Sequence, residues 1–264
     1  MISIITPFYN AQDYLKDAIH SVLNQSLDDW ELILINDGST DSSKNIALSF
    51  NDNRIKYYEQ SNKGVAAARN KGLSMVRGDF ITFLDSDDVL PPNSLKARRK
   101  LFDENPQLAF ADGIVIKKSA DMNTVFEEWK PSFRGNPLHD LCRLGGRSFL
   151  GLTWMIKRNP NKNYKFNEFL THSEDLLFFM KLARDGSEYT YTEEPTLIYR
   201  QSEKSAMSNL EGLEKGYRTV GSIIRNWKEI EQDDFKRYQY KWRRAMFLAY
   251  IRKMKIIKAV NSLF

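Results

Sequence analysis

Hydrophobic and polar positions alternate along the first ninety residues in a way that separates strands from helices. Met1 to Thr6 is a short apolar run closed by Pro7, which predicts a buried strand. Leu15, Ala18, Ile19, Val22 and Leu23 recur at helical spacing. Trp30 to Ile35 predicts a second buried strand, stopped by the turn-rich Asn36-Asp37-Gly38-Ser39-Thr40-Asp41. A helical pattern follows to about Phe50. Arg54 to Glu59 predicts a third strand, and Gly64 to Val76 a helix of small residues with Ala66, Ala67 and Ala68 inside it. Phe80 to Leu84 is a fourth strand, running directly into Asp85-Ser86-Asp87-Asp88. Strands and helices alternating at this spacing predict an α/β fold with a parallel, doubly wound sheet. Ligands of such sheets bind at the carboxyl ends of the strands. Three polar clusters follow strand ends here: Pro7 to Asn10, Asn36 to Gly38, and Asp85 to Asp88.

The second half is less regular. Leu108 to Lys117 reads as a strand with Asp112-Gly113 within it, and residues 118–150 are rich in Gly, Pro and charge. Leu152 to Lys157 predicts another strand. Ser173 to Asp185 carries a helix start, with Ser173 as cap and Glu174 and Asp175 in the first turn. Thr190 to Arg200 is extended, and from about Leu210 the pattern is helical to the end.

Charge changes this picture at one place. Residues 236–258 hold nine lysines and arginines and no acid; subtracting those nine from the net +5 leaves about −4 on the rest. A mildly acidic body argues against a nucleic-acid enzyme with a basic channel. Aromatic and apolar residues interleave with the basic ones from Phe235 to Ile257. That suits an amphipathic helix on an anionic membrane surface, a helix packed on the main domain, or a homo-oligomer contact. With 264 residues there is room for one sizeable domain and an appendage. The single Cys142 excludes an internal disulfide, which fits a reducing, cytoplasmic compartment. Nothing at Met1 reads as a signal peptide, and no stretch approaches the roughly 18 apolar residues of a spanning helix.

An acidic cluster at the end of a buried strand repels itself unless a cation or hydrogen-bond donor is present. Hard oxygen ligands of this kind suit Mg²⁺ or Mn²⁺; a solvated turn with helix-capping carboxylates is the bland alternative. Asp37, followed by Gly38, could accept hydrogen bonds from a base or ribose, or belong to a simple Asp-Gly turn. Arg69 could hold a pyrophosphate, or a surface salt bridge. No G-x-G-x-x-G occurs, which excludes a dinucleotide dehydrogenase.

Thr6-Pro7-Phe8-Tyr9-Asn10, Asn36 to Asp41, Asn62-Lys63-Gly64-Val65-Ala66-Ala67-Ala68-Arg69-Asn70 and Asp85 to Asp88 occur in that order. The series resembles family 2 glycosyltransferases of the GT-A fold, and thins through Glu174-Asp175 and Tyr199-Arg200. The resemblance implies a Rossmann-like, mostly parallel central sheet flanked by helices, over residues 1–210, with 211–264 as a helical extension. Residues 1–115 would be the nucleotide-binding half and 116–210 the acceptor-binding half. It implies an inverting, metal-dependent enzyme moving a sugar from a nucleotide-diphosphate sugar, UDP favoured, to a glycan or lipid-linked acceptor. A non-catalytic nucleotide-sugar-binding protein of the same fold is the alternative.

By that resemblance Pro7 and Tyr9 line the base pocket, Asp37 binds base or ribose, Arg69 helps hold the nucleotide, Asp85 contacts the ribose and Asp87 ligates Mn²⁺ or Mg²⁺. Asp175 is the general base beside Glu174; such a carboxylate takes the proton of the attacking hydroxyl, and a helix N-terminus would keep it ionised. Arg200 and Ser205 are diphosphate partners, although Ser202 stands where a histidine is common. Asp112 would touch donor hydroxyls. Trp154 is an acceptor platform or a core aromatic, and His172 is a loop residue rather than a ligand.

Overall fold

In the computed structural model, which describes residues 1–201 and 209–263, the first half builds the platform. Its elements are β1 (Ile2–Phe8), α1 (Leu15–Leu23), β2 (Trp30–Asn36), α2 (Ser43–Leu48), β3 (Ile55–Glu59), α3 (Val65–Met75) and β4 (Phe80–Phe83). The four strands run parallel in the order β3-β2-β1-β4. Every residue of β1 and β2 is buried, because these strands carry apolar side chains on both faces. Leu32 and Leu34 enter one core while Ile33 and Ile35 enter the other, the period-2 alternation of a strand. The register sets Phe8 beside Asn36 and Asn36 beside Glu59, so the polar clusters after β1 and β2 open on one edge.

Seven elements follow: α4 (Ser94–Glu104), β5 (Leu108–Ser119), β6 (Val125–Trp129), α5 (Leu138–Cys142), β7 (Met155–Lys157), α6 (Glu174–Ala183) and β8 (Glu188–Gln201). β7 lies antiparallel between β4 and β5, β6 pairs antiparallel with β5, and β8 runs parallel to β5 from Leu108 to Ser119. The sheet therefore has eight strands, with a parallel half that matches the expected winding and a mixed half that does not. The C-terminal helices are α7 (Leu210–Ile224), α8 (Gln232–Arg252) and α9 (Ile256–Asn261). One core joins the sheet to α3, α6, α7 and α8, and the other joins it to α1, α2 and α4.

Three local expectations change. α4 has no counterpart in the sequence reading, because its inner face includes Arg98 beside Ser94, Leu95 and Phe102. Arg98 is buried because its guanidinium donates to Thr82 Oγ1 (3.0 Å), the Thr153 carbonyl (2.8 Å) and Ser94 Oγ (2.9 Å). Ser173 does not cap α6: it adopts φ 61°, and its side chain makes no capping hydrogen bond. The basic C-terminal stretch is also only half a surface. Tyr238, Trp242, Met246 and Tyr250, four residues apart on α8, are buried in the core. Asp234 at the start of the same face pairs with His139 and Arg143.

Candidate active site

The cleft lies where the carboxyl ends of β1, β2 and β4 face the start of α6, and has a volume of about 1040 Å³. Pro7, Tyr9, Asp37, Arg69, Asp85, Asp87, Glu174 and Asp175 all line it, so the structure brings together the principal predicted residues. Tyr9 stands at the rim, half exposed.

Asp37 is a buried tie between β2 and α3. One oxygen accepts Gln60 Nε2 (2.8 Å) and the Lys63 amide (2.9 Å), and the other accepts the Gly64 amide (2.8 Å). With three acceptor positions filled, about one remains for a ligand. Gly64 at φ 87° makes this turn possible. Asn10 joins the first two loops, its side-chain oxygen accepting the Thr40 amide at 2.8 Å while its own amide donates to Ser39 Oγ.

Arg69 rides on the small-residue helix α3. Gly72 lets that helix lie close to β1, since a Cβ there would fall 2.4 Å from Ile5 Cγ2. The guanidinium is buried and donates to Asp85 Oδ1 (2.9 Å) and Glu174 Oε1 (2.8 Å), joining the two halves of the chain. Burial works against its charge, but Asp85 and Glu174 outweigh that and raise its pKa.

The other carboxylates are less well compensated. Burial, with Asp85 adding repulsion, pushes Asp87 up to about 6. Burial and the charges of Asp87 and Asp85 raise Asp88 further, although its Oδ1 accepts the Arg200 amide at 2.9 Å. Asp175 is pushed to about 6, first by burial and then by Glu174. Its position at the first turn of α6 therefore leaves it above the ordinary carboxylate range, yet mainly ionised at neutral pH. Five carboxylates line the cleft with Arg69 between Asp85 and Glu174 and Arg200 behind Asp87 and Asp88, and the upward shifts of Asp87, Asp88 and Asp175 mark a site short of positive charge. Hard oxygen ligands with that deficit fit a divalent cation bound through Asp87 together with substrate phosphates.

Residues 3–164 match the family model of Glycosyl transferase family 2. The chain belongs to that family. The glycosyltransferase is 35% identical over 213 residues to a Haemophilus influenzae glycosyltransferase, covering 79% of this chain and 82% of that one. It is 36% identical to the Bacillus subtilis minor teichoic acid biosynthesis protein GgaA, over 76% of this chain but only 47% of GgaA. In fold it is similar to S. aureus TarS 1-349 in complex with UDP-GlcNAc (TM-score 0.73, 20% identity, 99% of this chain and 79% of that one). It is also similar to the Pyrobaculum calidifontis mannosyltransferase PcManGT in complex with GDP-Man and Mn²⁺ (TM-score 0.67, 16% identity, 99% and 73%). These likenesses support the GT-A architecture.

Three candidates of the glycosyltransferase do not line the cleft, although Arg200 stands directly behind Asp87 and Asp88. Trp154 is fully buried, donating to the Ser148 carbonyl at 2.7 Å and packed on Phe179, Tyr189 and Phe110; it is the core aromatic, not a platform. Asp112 is also buried, accepting Tyr189 Oη at 3.0 Å and the Gly113 amide at 2.8 Å, so it has no face toward a donor. Arg200 is a buttress rather than a diphosphate ligand. Its guanidinium donates to the Asp87 and Ala120 carbonyls and to Asp17 Oδ2, and lies over Tyr14. Ser202 and Ser205 lie outside the described residues.

Two contributors to the cleft escaped sequence reasoning. Asp140 folds residues 144–152 along one wall by accepting Arg147 Nε (2.8 Å), the Ser148 amide (3.0 Å) and Ser148 Oγ (2.8 Å). Gly145 is required there, since a Cβ would fall 1.9 Å from Asp140 Oδ1; the Gly145-Gly146 pair was the available signal. Leu213 and Tyr217 of α7 form another part of the wall, in a stretch that the sequence assigned to the extension.

Proposed function

We propose that this glycosyltransferase moves a sugar, with inversion, from a nucleotide-diphosphate sugar to a hydroxyl of a glycan or lipid-linked acceptor, and that the reaction depends on a divalent metal. The observation that carries the reading is the gathering of Asp85, Asp87, Asp88, Glu174 and Asp175 in one cleft, with Arg69 tying Asp85 to Glu174. Pro7 and Tyr9 would bound the base, with Asp37 and Asp85 toward base and ribose. A Mn²⁺ or Mg²⁺ ion held by Asp87 supplies positive charge for the departing diphosphate. Arg69 fixes the separation between Asp85 and Glu174. Asp175, whose pKa of about 6 makes it more basic than an ordinary aspartate and leaves it mainly ionised at neutral pH, takes the proton of the attacking hydroxyl. UDP is the favoured carrier, supported by the fold shared with a UDP-GlcNAc-bound TarS. Polysaccharide assembly is supported by the similarity to GgaA.

The C-terminal helices bear on location. Among the described residues no helix is long and apolar enough to cross a membrane. The turn from α8 into α9 exposes Met254 (87%), Ile256 (65%) and Ile257 (78%) within a stretch free of acids. Apolar side chains beside Lys253, Lys255 and Lys258, the last two also pairing with Glu211 of α7, suit the interface of an anionic bilayer. We read residues 1–210 together with the cleft-lining face of α7 as the catalytic unit, with the outer face of the remaining C-terminal helices docking it on the inner face of the cell membrane.

A thermal-shift panel of UDP-, GDP- and dTDP-sugars, with and without Mn²⁺, tests the donor reading. Stabilisation by one nucleotide class, abolished by omitting the metal or by Asp87→Ala, is the expected result. Equal shifts without metal would contradict it.

A further inference from the structure

The wall of the cleft beside Asp175 has a chemistry of its own. It is built by α7, which approaches unusually closely because of two glycines one turn apart. A Cβ at Gly212 would fall 2.4 Å from His172 Cε1, and one at Gly216 would fall 2.5 Å from the His172 carbonyl. The helix therefore lies directly on the segment that launches α6 and Asp175. Leu213 and Tyr217, four residues apart, are thereby turned into the cleft.

Tyr217 is held as a plate. Its ring lies nearly parallel to buried Trp242 (17°, centroids 6.4 Å apart), and its carbonyl accepts Tyr238 Oη at 2.8 Å. Asp175 is close enough for its charge to add to burial in raising the phenol pKa. Leu144, Phe149, Leu150 and Leu152 supply further apolar surface across the cleft, and Glu174 and Asp175 supply acceptors. Lysine and arginine are scarce: among the described residues lining the whole cleft they are Arg69 and Lys117. Arg69 is engaged by Asp85 and Glu174, and Lys117 by Glu127.

We propose that this part of the cleft binds a neutral sugar of the acceptor, its apolar face stacked on Tyr217 and its hydroxyls turned to the carboxylates. The inference rests on the transferase reading and narrows its acceptor. Among the described residues, a phosphate placed beside Asp175 would meet carboxylates without an unengaged lysine or arginine of the lining to offset them, which is repulsive in a partly buried site. A pyranose ring instead offers C–H groups to an aromatic face and donors to carboxylates. A repeating polyanion such as a polyol phosphate would have to place its phosphates elsewhere.

The test uses the full chain, Mn²⁺ and a nucleotide-sugar that it hydrolyses, with nucleotide release as readout. The acceptor probes are p-nitrophenyl glycosides of several neutral hexoses and N-acetylhexosamines, set against oligo(glycerol phosphate). At least one neutral glycoside is expected to accelerate release, and oligo(glycerol phosphate) is not. Tyr217→Ala is expected to raise the KM for that glycoside about tenfold, the loss of roughly one stacking contact, a change larger than any in acceptor-free hydrolysis. Tyr217→Phe keeps the ring and is expected to stay near wild type, which separates stacking from misfolding. Acceleration by oligo(glycerol phosphate) alone, no acceleration by any glycoside, or a parallel fall of both reactions in Tyr217→Ala overturns the inference while leaving the transferase reading intact. If no nucleotide-sugar is turned over at all, the transferase reading fails and the acceptor inference with it.

Discussion

Asp175, the proton acceptor we propose, shows at the scale of one residue how such a group would be made at the expense of stability. Burial and Glu174 raise its pKa from 3.8 to about 6. A carboxyl whose folded pKa exceeds its unfolded value binds its proton more tightly in the native state, so ionisation weakens the fold. The penalty begins as pH rises above 3.8 and is complete above about 6. Asp175→Asn should therefore melt higher than wild type at pH 7.5, with the gap closing toward pH 4 in metal-free scans. The same substitution should lower donor turnover by about 10² to 10⁴, the usual contribution of a general base. A variant that melts lower at pH 7.5 would show that the carboxylate is compensated. That Asp37, Arg69, Asp85, Asp87 and Asp175 share one cleft was readable because each belongs to a short motif that follows a strand or opens a helix. Their partners were not. Arg69 meets Glu174 across 105 positions, and Arg200 reaches back to Asp17 across 183, separations on which local pattern is silent. Trp154 and Asp112 misled for a related reason: residue type suggests a ligand, but only packing decides exposure.

At the scale of elements, the parallel half of the sheet was legible because β1, β2 and β4 are buried on both faces and read as continuous apolar runs. The mixed half was harder. Four of the five residues of β6 are exposed, so no apolar alternation announces it, and β7 is three residues long. α4 places Arg98 on its inward face between Leu95 and Phe102, a buried cation that interrupts the apolar stripe. The seating of α7 rests on an absence of side chain. Gly216→Ala forces a methyl group to within 2.5 Å of a backbone oxygen, and overpacking of this kind costs about 1–3 kcal/mol. A lower melting temperature is expected, with glycoside-dependent nucleotide release falling more than acceptor-free hydrolysis. An unchanged melting temperature would mean that α7 sits further from His172.

At the scale of the molecule, the basic stretch was visible in composition, but its use required the fold. A flat amphipathic helix would present Tyr238 and Trp242 to lipid; the protein buries both and exposes the turn at Met254, Ile256 and Ile257 instead. Full-length protein should pellet with vesicles containing anionic lipid, less so at high salt. Met254→Ser combined with Ile257→Ser should reduce pelleting at least several-fold without changing the melting temperature. Equal pelleting of the variant, or a concentration-dependent dimer that the substitutions dissolve, would favour a second copy as the occupant. The central claim concerns the cleft that both halves build: a metal-bound donor site on Asp87 and a proton acceptor at Asp175. Its most direct measurement is nucleotide release from the stabilising nucleotide-sugar, with Mn²⁺ or with chelator, for wild type, Asp87→Asn and Asp175→Asn. The account predicts turnover by wild type with Mn²⁺, near-complete loss with chelator and in Asp87→Asn, and loss of turnover but retained donor binding in Asp175→Asn. Turnover at the wild-type rate in either variant, or in the presence of chelator, would contradict it.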